Sequence, residues 1–168
     1  PEWVGEHGQD MLAEATGCPV WFLNDADAAG IAEVTFGAGQ GVRGLVLITT
    51  IGTGIGTSLF IDGRLVPNTE LGHIEINGKE AEKWASDGVR KKKDLSWKEW
   101  AERLNMYLQT MENLLWPDLI IIGGGVSKKT EKYFQYLDLK TRLVPAQLLN
   151  EAGMIGAALA AHAALQPA

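Results

Sequence analysis

Leu47-Ile48-Thr49-Thr50-Ile51-Gly52-Thr53-Gly54-Ile55-Gly56-Thr57-Ser58-Leu59-Phe60-Ile61-Asp62-Gly63 is the stretch whose reading decides the fold. Two strand-like apolar runs flank a turn in which Gly52, Gly54 and Gly56 are interleaved with Thr50, Thr53 and Thr57. Glycines at this density let backbone N–H groups converge without Cβ obstruction, which is how an oxyanion such as phosphate is held. A tight turn that merely needs glycine accounts for one or two of these residues, not for three glycines with three threonines.

The spacing G-x-G-x-G fits neither the dinucleotide fingerprint, G-x-G-x-x-G opening a helix, nor the Walker loop. After the turn, Ser58 to Val66 continues with β-branched and aromatic residues around an Asp62-Gly63 turn signal, so the second element is a strand in a hairpin. Strand, Gly/Thr turn, strand, hairpin resembles the phosphate-binding arrangement of the actin and hexokinase type.

Working outward, Glu6 to Thr16 has helical spacing and Gly17 is a helix stop. Val20 to Leu23 reads as a short buried strand, and Ala26 to Phe36 as a helix. Val42 to Ile51, Gly56 to Ile61 and Arg64 to Val66 are the strands around the turn, and Asn68 to Ile76 is irregular. Lys79 to Lys93 is a charged surface helix. Ser96, with Glu99 three residues on, is a capping box for a helix whose stripe runs through Trp100, Leu104, Leu108 and Met111 and stops before Pro117. Asp118 to Ile122 is a strand, Val126 to Leu137 a helix, Leu143 to Ala146 a strand and Gly153 to Leu165 a helix. This order predicts an α/β, ribonuclease-H-like domain with a mixed five-stranded sheet and flanking helices.

Composition narrows the function classes. A chain of 168 residues with 46% hydrophobic and 21% charged residues is ordinary for a globular domain. Its net charge of -6 argues against a general nucleic-acid surface. No apolar stretch approaches the roughly 20 residues needed to cross a bilayer. Cys18 is the only thiol, so no internal disulfide can form, and a reducing cytoplasm is the expected setting. The chain opens on Pro1 without a methionine and runs straight into a helical lead-in over residues 1–17, the expected look of a cut rather than a natural start.

Several residues could carry chemistry. Asn24-Asp25 stands between an expected strand and helix, where open α/β folds bind ligands. There Asp25 could accept a hydroxyl proton while Asn24 donates to and accepts from a sugar; Asp25 as a plain helix N-cap is the equal alternative. Asp27 reads as a first-turn residue favoured by the helix dipole. Glu70 and His73, three apart around Gly72, offer acceptor and donor to vicinal hydroxyls, although a lone histidine is more often structural. With one thiol and the other histidines, His7 and His162, in terminal helices, no protein zinc site is expected. Gly123, Gly124 and Gly125 resemble a strand-to-helix phosphate or nucleotide contact. Arg90, Lys91, Lys92 and Lys93 form the one basic run, read first as a solvated helix end and second as a grip for a polyanion.

Taken together, Leu23-Asn24-Asp25-Ala26-Asp27-Ala28-Ala29, Thr50 to Gly56, Glu70-Leu71-Gly72-His73 and Gly123-Gly124-Gly125-Val126 occur in the order of the ROK family of sugar kinases and repressors, which the chain resembles over nearly its whole length. The resemblance implies that Asp25 is the general base toward a sugar 6-hydroxyl. It implies phosphate binding by Thr50, Gly52, Thr53, Gly54, Gly56 and Thr57, and sugar binding by Asn24, Asp25, Glu70 and His73. Glu82 joins the sugar ligands because Ala81-Glu82-Lys83-Trp84-Ala85-Ser86 matches the Glu and Ser of a family segment. Most members carry zinc-binding cysteines after the Gly-His pair; Ile74 to Ser86 has none, so structural zinc is not expected. That cysteine-free segment, Asn68 to His73, Asp94-Leu95-Ser96-Trp97 and Trp116-Pro117-Asp118 look like the actinobacterial polyphosphate glucokinase branch, which raises the odds that Arg90 to Lys93 contact polyphosphate.

The family's Asp-x-Gly-Gly-Thr phosphate loop does not occur here. Residues 1–168 therefore resemble the C-terminal domain of a longer kinase, with the N-terminal phosphate-loop domain absent. The implied reaction is phosphoryl transfer from polyphosphate or ATP, with Mg²⁺, to the 6-hydroxyl of glucose. The implied protein is a cytoplasmic homodimer with no nucleic-acid or membrane partner. A sugar-sensing domain of a ROK repressor and an ATP-dependent kinase for another hexose are the alternatives.

Overall fold

In the computed structural model, which describes residues 4–166, strand β1 (Leu45–Ile51) is the centre of the molecule. Val46, Leu47, Ile48 and Ile51 are all buried, so the strand is covered on both faces. It pairs antiparallel with β2 (Ile55–Ile61), which pairs antiparallel with β3 (Arg64–Val66). On its other side β1 pairs parallel with β6 (Leu119–Gly123), and β6 pairs parallel with β7 (Arg142–Pro145). The strand order β3-β2-β1-β6-β7 is the mixed five-stranded sheet expected of an actin- or hexokinase-type fold. Between β3 and β6 a separate two-stranded ribbon joins β4 (Glu75–Ile76) to β5 (Lys79–Glu80).

Period-two alternation divides the sheet's side chains between two cores. Leu47, Ile51, Ile120 and Ile122 face helix α5 (Trp97–Leu115), whose Trp100, Leu104, Tyr107, Leu108 and Met111 are fully buried. Val46, Ile48, Phe60, Leu119 and Ile121 face α2 (Asp25–Phe36). Helix α6 (Ala152–Leu165) lies on α2, so close at Gly156 that a Cβ there would run into the Ala28 carbonyl. The Ser96/Glu99 capping box forms as expected: Glu99 N–H donates to Ser96 Oγ at 3.2 Å and Ser96 N–H to Glu99 Oε2 at 2.9 Å. Helix α1 (Gly8–Thr16) ends on left-handed Gly17 and buries none of its side chains; residues 1–3 of the expected lead-in lie outside the described residues.

Three elements differ from the sequence expectation. Val20 to Leu23 is not a strand: it finds no sheet edge to pair with, and Trp21 and Phe22 are exposed. A short apolar run is compatible with a strand but does not supply its partner. Lys79 to Lys93 is not one helix but β5, α3 (Glu82–Ala85) and α4 (Asp87–Lys92). The break is at Ser86, which is extended and caps α4 by accepting from Val89 N–H, while Trp100 Nε1 donates to the carbonyls of Ala85 and Ser86 and pins the break in place. Val126 to Leu137 is a pair of 3₁₀ turns, Ser127–Lys132 and Phe134–Tyr136, because buried Tyr133 pulls the segment inward between Trp97 and Trp100.

Tyr107 gives the first prediction. Its hydroxyl is buried with no hydrogen-bond partner among the described residues, and burial pushes its pKa well up. A buried donor without a partner costs about 1–3 kcal/mol. Tyr107→Phe removes the donor and keeps the ring, so it raises unfolding free energy by about 1 kcal/mol in denaturant titrations. A loss of stability would mean that the hydroxyl is satisfied.

Candidate sugar and phosphate cleft

A cleft of about 500 Å³ opens where the turn after β1 meets the start of α2. Asn24, Asp25 and Glu70 line one part, Thr50 and the turn from Gly52 to Gly56 the floor, and Glu82 and Gly124 the remaining walls. It stands beyond the carboxyl ends of parallel β1 and β6, the usual ligand crevice of open α/β sheets.

The question of which residue caps α2 has a clear answer. Asn24 Oδ1 accepts from Ala26 N–H at 2.8 Å and from Asp27 N–H at 3.4 Å, so Asn24 is the cap. Its acceptor is thereby spent, and its Nδ2 donates to Glu70 Oε1 at 3.2 Å; one N–H remains for a ligand. Asp25 is released from capping. It is exposed in the first turn of α2, and no hydrogen bond or ion pair engages its carboxylate among the described residues.

Glu70 is held from both sides. On one side buried Asp27, which the sequence reads as a first-turn residue and nothing more, accepts from Asn68 N–H through Oδ2 at 3.0 Å. Burial raises the Asp27 pKa, the hydrogen bond from Asn68 opposes this and the Glu70 charge adds to it. On the other side Thr57 Oγ1 donates to the Thr69 carbonyl at 2.7 Å and accepts from Leu71 N–H at 3.1 Å. Thr57 is buried and does not line the cleft, which corrects its expected place among the phosphate ligands. On a strand, neighbouring residues point to opposite faces, and Thr57 falls on the wrong one.

The turn is built tightly. Gly52 N–H donates to the Gly54 carbonyl and Gly88 N–H to the Gly52 carbonyl, so α4 braces it from behind. The Glu82 carboxylate lies where a Cβ on Gly54 would be, and Thr50 Oγ1 does the same at Gly56. Of the triple glycine, Gly124 lines the cleft with φ +75°, Gly123 is buried in β6 and Gly125 is exposed outside the cleft. The 3₁₀ turns that follow do not present the α-helix N-terminus expected there.

His73 stands beside the cleft rather than in it. Its Nε2 is 3.8 Å from Glu70, and its Nδ1 is 3.4 Å from Glu80 and 3.9 Å from Glu82. His73, Glu80 and Glu82 offer three ligand atoms within 4.8 Å of one another. Lys83 already bonds Glu80 at 2.6 Å, and with His73 it holds that carboxyl below its usual range, so Glu80 is already engaged as the group stands. Glu80 itself had no sequence signal beyond being one charge in a charged run.

In the basic run, Arg90 and Lys91 both bond the buried Asp87 carboxylate, at 2.7 and 2.8 Å. Burial alone would raise the Asp87 pKa, but these two cations outweigh it and hold the group below its ordinary value. Lys92 borders a groove of about 330 Å³ that shares Thr53, Gly54 and Glu82 with the cleft, and Lys93 ends α4.

The ROK family model matches residues 2–92. The polyphosphate glucokinase of Mycobacterium tuberculosis is 48% identical over 96% of this chain and 61% of its own length; that of Mycobacterium leprae is 44% identical over 96% and 50%. The chain thus spans from half to about three-fifths of these relatives. Among solved structures, the inorganic polyphosphate/ATP-glucomannokinase from Arthrobacter sp. strain KM superposes with a TM-score of 0.93 at 47% identity, covering 97% of this chain and 64% of that one.

Proposed function

The chain belongs to the ROK family, and from that premise we propose that it is the sugar-binding catalytic half of a longer kinase, which transfers a phosphoryl group from polyphosphate or ATP to the 6-hydroxyl of glucose. The observation that carries the proposal is the cleft itself. One free carboxylate, Asp25, stands between a polar pair suited to sugar hydroxyls, Asn24 and Glu70, and a glycine turn suited to phosphate.

In this reading the glucose O6 attacks the terminal phosphorus, the O6–P bond forms, the bridging P–O bond breaks and Asp25 takes the O6 proton. The leaving group is ADP or a polyphosphate shortened by one unit. Glu70 accepts from a ring hydroxyl, Asn24 donates its remaining N–H, and Glu82 and His73 complete the sugar side. Thr50, Thr53, Gly52, Gly54, Gly56 and Gly124 flank the phosphoryl group, and Arg90, Lys91, Lys92 and Lys93 lie on the donor side. Transfer of this kind depends mostly on positioning and charge stabilisation.

Glu82, whose carboxylate lies against the turn at Gly54, is an oxygen donor of the kind a hard divalent cation takes. Mg²⁺ accompanying the donor would neutralise phosphate charge there. The names of the mycobacterial and Arthrobacter relatives, which carry glucokinase, glucomannokinase, polyphosphate and ATP, support the sugar and the donors. No helix among the described residues is long and apolar enough to cross a membrane, which is compatible with a cytoplasmic enzyme.

The test is a donor and sugar comparison on the full-length protein. Glucose 6-phosphate forms from glucose with polyphosphate and with ATP. No product from either donor would overturn the proposal, and phosphorylation of an N-acetyl sugar in place of glucose would overturn its choice of substrate.

A further inference from the structure

Trp97 gathers three cations onto one ring. Arg90 Cζ lies 4.0 Å from the ring centroid, Lys132 Nζ 5.7 Å and Lys129 Nζ 5.9 Å. The ring is itself fixed, stacked with Tyr133 at 5.9 Å and met edge-on by Trp100 at 5.6 Å, both fully buried. The attraction of a cation for an indole face therefore draws the three charges together, with Arg90 held firmest by its bond to Asp87. In a chain of net charge -6, this convergence runs against the overall balance. Arg90 is paired with Asp87, but Lys129 and Lys132 reach no carboxylate within ion-pair distance among the described residues.

Both elements that supply these cations are rooted at the phosphate end of the cleft. Gly88, in the same short helix as Arg90, is bonded to the turn at Gly52. Ser127, which opens the turn carrying Lys129 and Lys132, is bonded through Oγ to the carbonyl of Gly124 at 2.8 Å. The cations around Trp97 are therefore carried by two elements tied to the phosphate end of the cleft, a path of positive charge outside it.

We infer that the Trp97-centred surface, Arg90, Lys129 and Lys132, is a track for a linear polyphosphate chain beyond the unit being transferred. The inference rests on the kinase reading above and extends it to a donor surface outside the cleft. The chemistry favours a repeating polyanion over a nucleoside, because Trp97 is already engaged by Arg90 and Tyr133 and serves to order cations rather than to stack a base. A nucleoside triphosphate, whose phosphates end at a sugar and base, would use the near end of this path only.

The experiment compares wild-type full-length enzyme with the Lys129→Gln/Lys132→Gln double variant, and with Lys140→Gln as a lysine away from this surface. Substrates are glucose with long-chain polyphosphate, tripolyphosphate or ATP, over a salt series. The double variant raises the KM for long-chain polyphosphate several-fold and flattens its slope of log KM against log salt by about 1.4, the share expected of two cations on a single-stranded polyanion. Its kinetics with ATP and tripolyphosphate, and all kinetics of Lys140→Gln, stay at wild-type values. Equal changes with ATP and long-chain polyphosphate, or none with either, would overturn the track while leaving the kinase reading intact. Wild-type enzyme inactive with every donor would overturn that reading itself. Competition by single-stranded DNA as effective as polyphosphate of equal charge would reassign the surface to nucleic acid and overturn the inference.

Discussion

Replacing Asp25 with asparagine in the full-length protein lowers kcat on glucose about 10²- to 10⁴-fold, the range expected for loss of a general base. Glucose affinity and thermal stability stay near wild type. The sharpness of this expectation comes from Asn24. Because Asn24 caps α2 through its own side chain, the Asp25 carboxylate has no structural duty to lose. The amide keeps the size and most hydrogen bonds of the acid but cannot take a proton at neutral pH. Steady-state kinetics with glucose and either donor, with a melting curve on the same sample, make the check. Wild-type turnover would remove Asp25 as the base. A loss accompanied by a large drop in melting temperature would instead make it a structural residue.

Thr57→Val raises the glucose KM about tenfold, with little change in the KM of either donor, whereas Thr57→Ser stays close to wild type. Valine keeps the shape but strands the Thr69 carbonyl and the Leu71 N–H, two groups on either side of Glu70 that are satisfied by one hydroxyl. Leaving such groups unpaired costs about 1–3 kcal/mol, and a shift of 1.4 kcal/mol felt at the sugar site is tenfold in affinity. Serine restores the hydroxyl, so rescue by serine separates the hydrogen bond from the packing of the methyl group. If Thr57 instead touched the transferring phosphate, the donor KM or kcat would change and the glucose KM would not.

The parts of this architecture set by local pattern were legible in the sequence. The β1-turn-β2 hairpin follows from alternating apolar residues around a glycine turn, and α5 follows from its capping box and its stripe from Trp100 to Met111. The placing of Asn24-Asp25 at a helix start was also readable, but which of the two caps the helix was not, since either side chain can do it. What stayed hidden depends on distant partners. Val20 to Leu23 has the composition of a strand but no edge to join. Thr57 looks like a phosphate ligand in a Gly/Thr run until the pleat turns it toward Thr69. Asp27 looks like a dipole residue until burial and Asn68 N–H give it a second role. The Trp97 surface joins residues from α4, α5 and the 3₁₀ turns after β6, and no spacing rule connects these.

The most direct measurement is a crystal structure of the full-length protein with glucose bound. The account predicts the sugar in the cleft with O6 within hydrogen-bond distance of an Asp25 carboxylate oxygen, its other hydroxyls on Glu70 and Asn24, and O6 aimed at the Gly52 to Gly56 turn. Glucose bound away from Asp25, or in this cleft with O6 turned from both Asp25 and the turn, would contradict it.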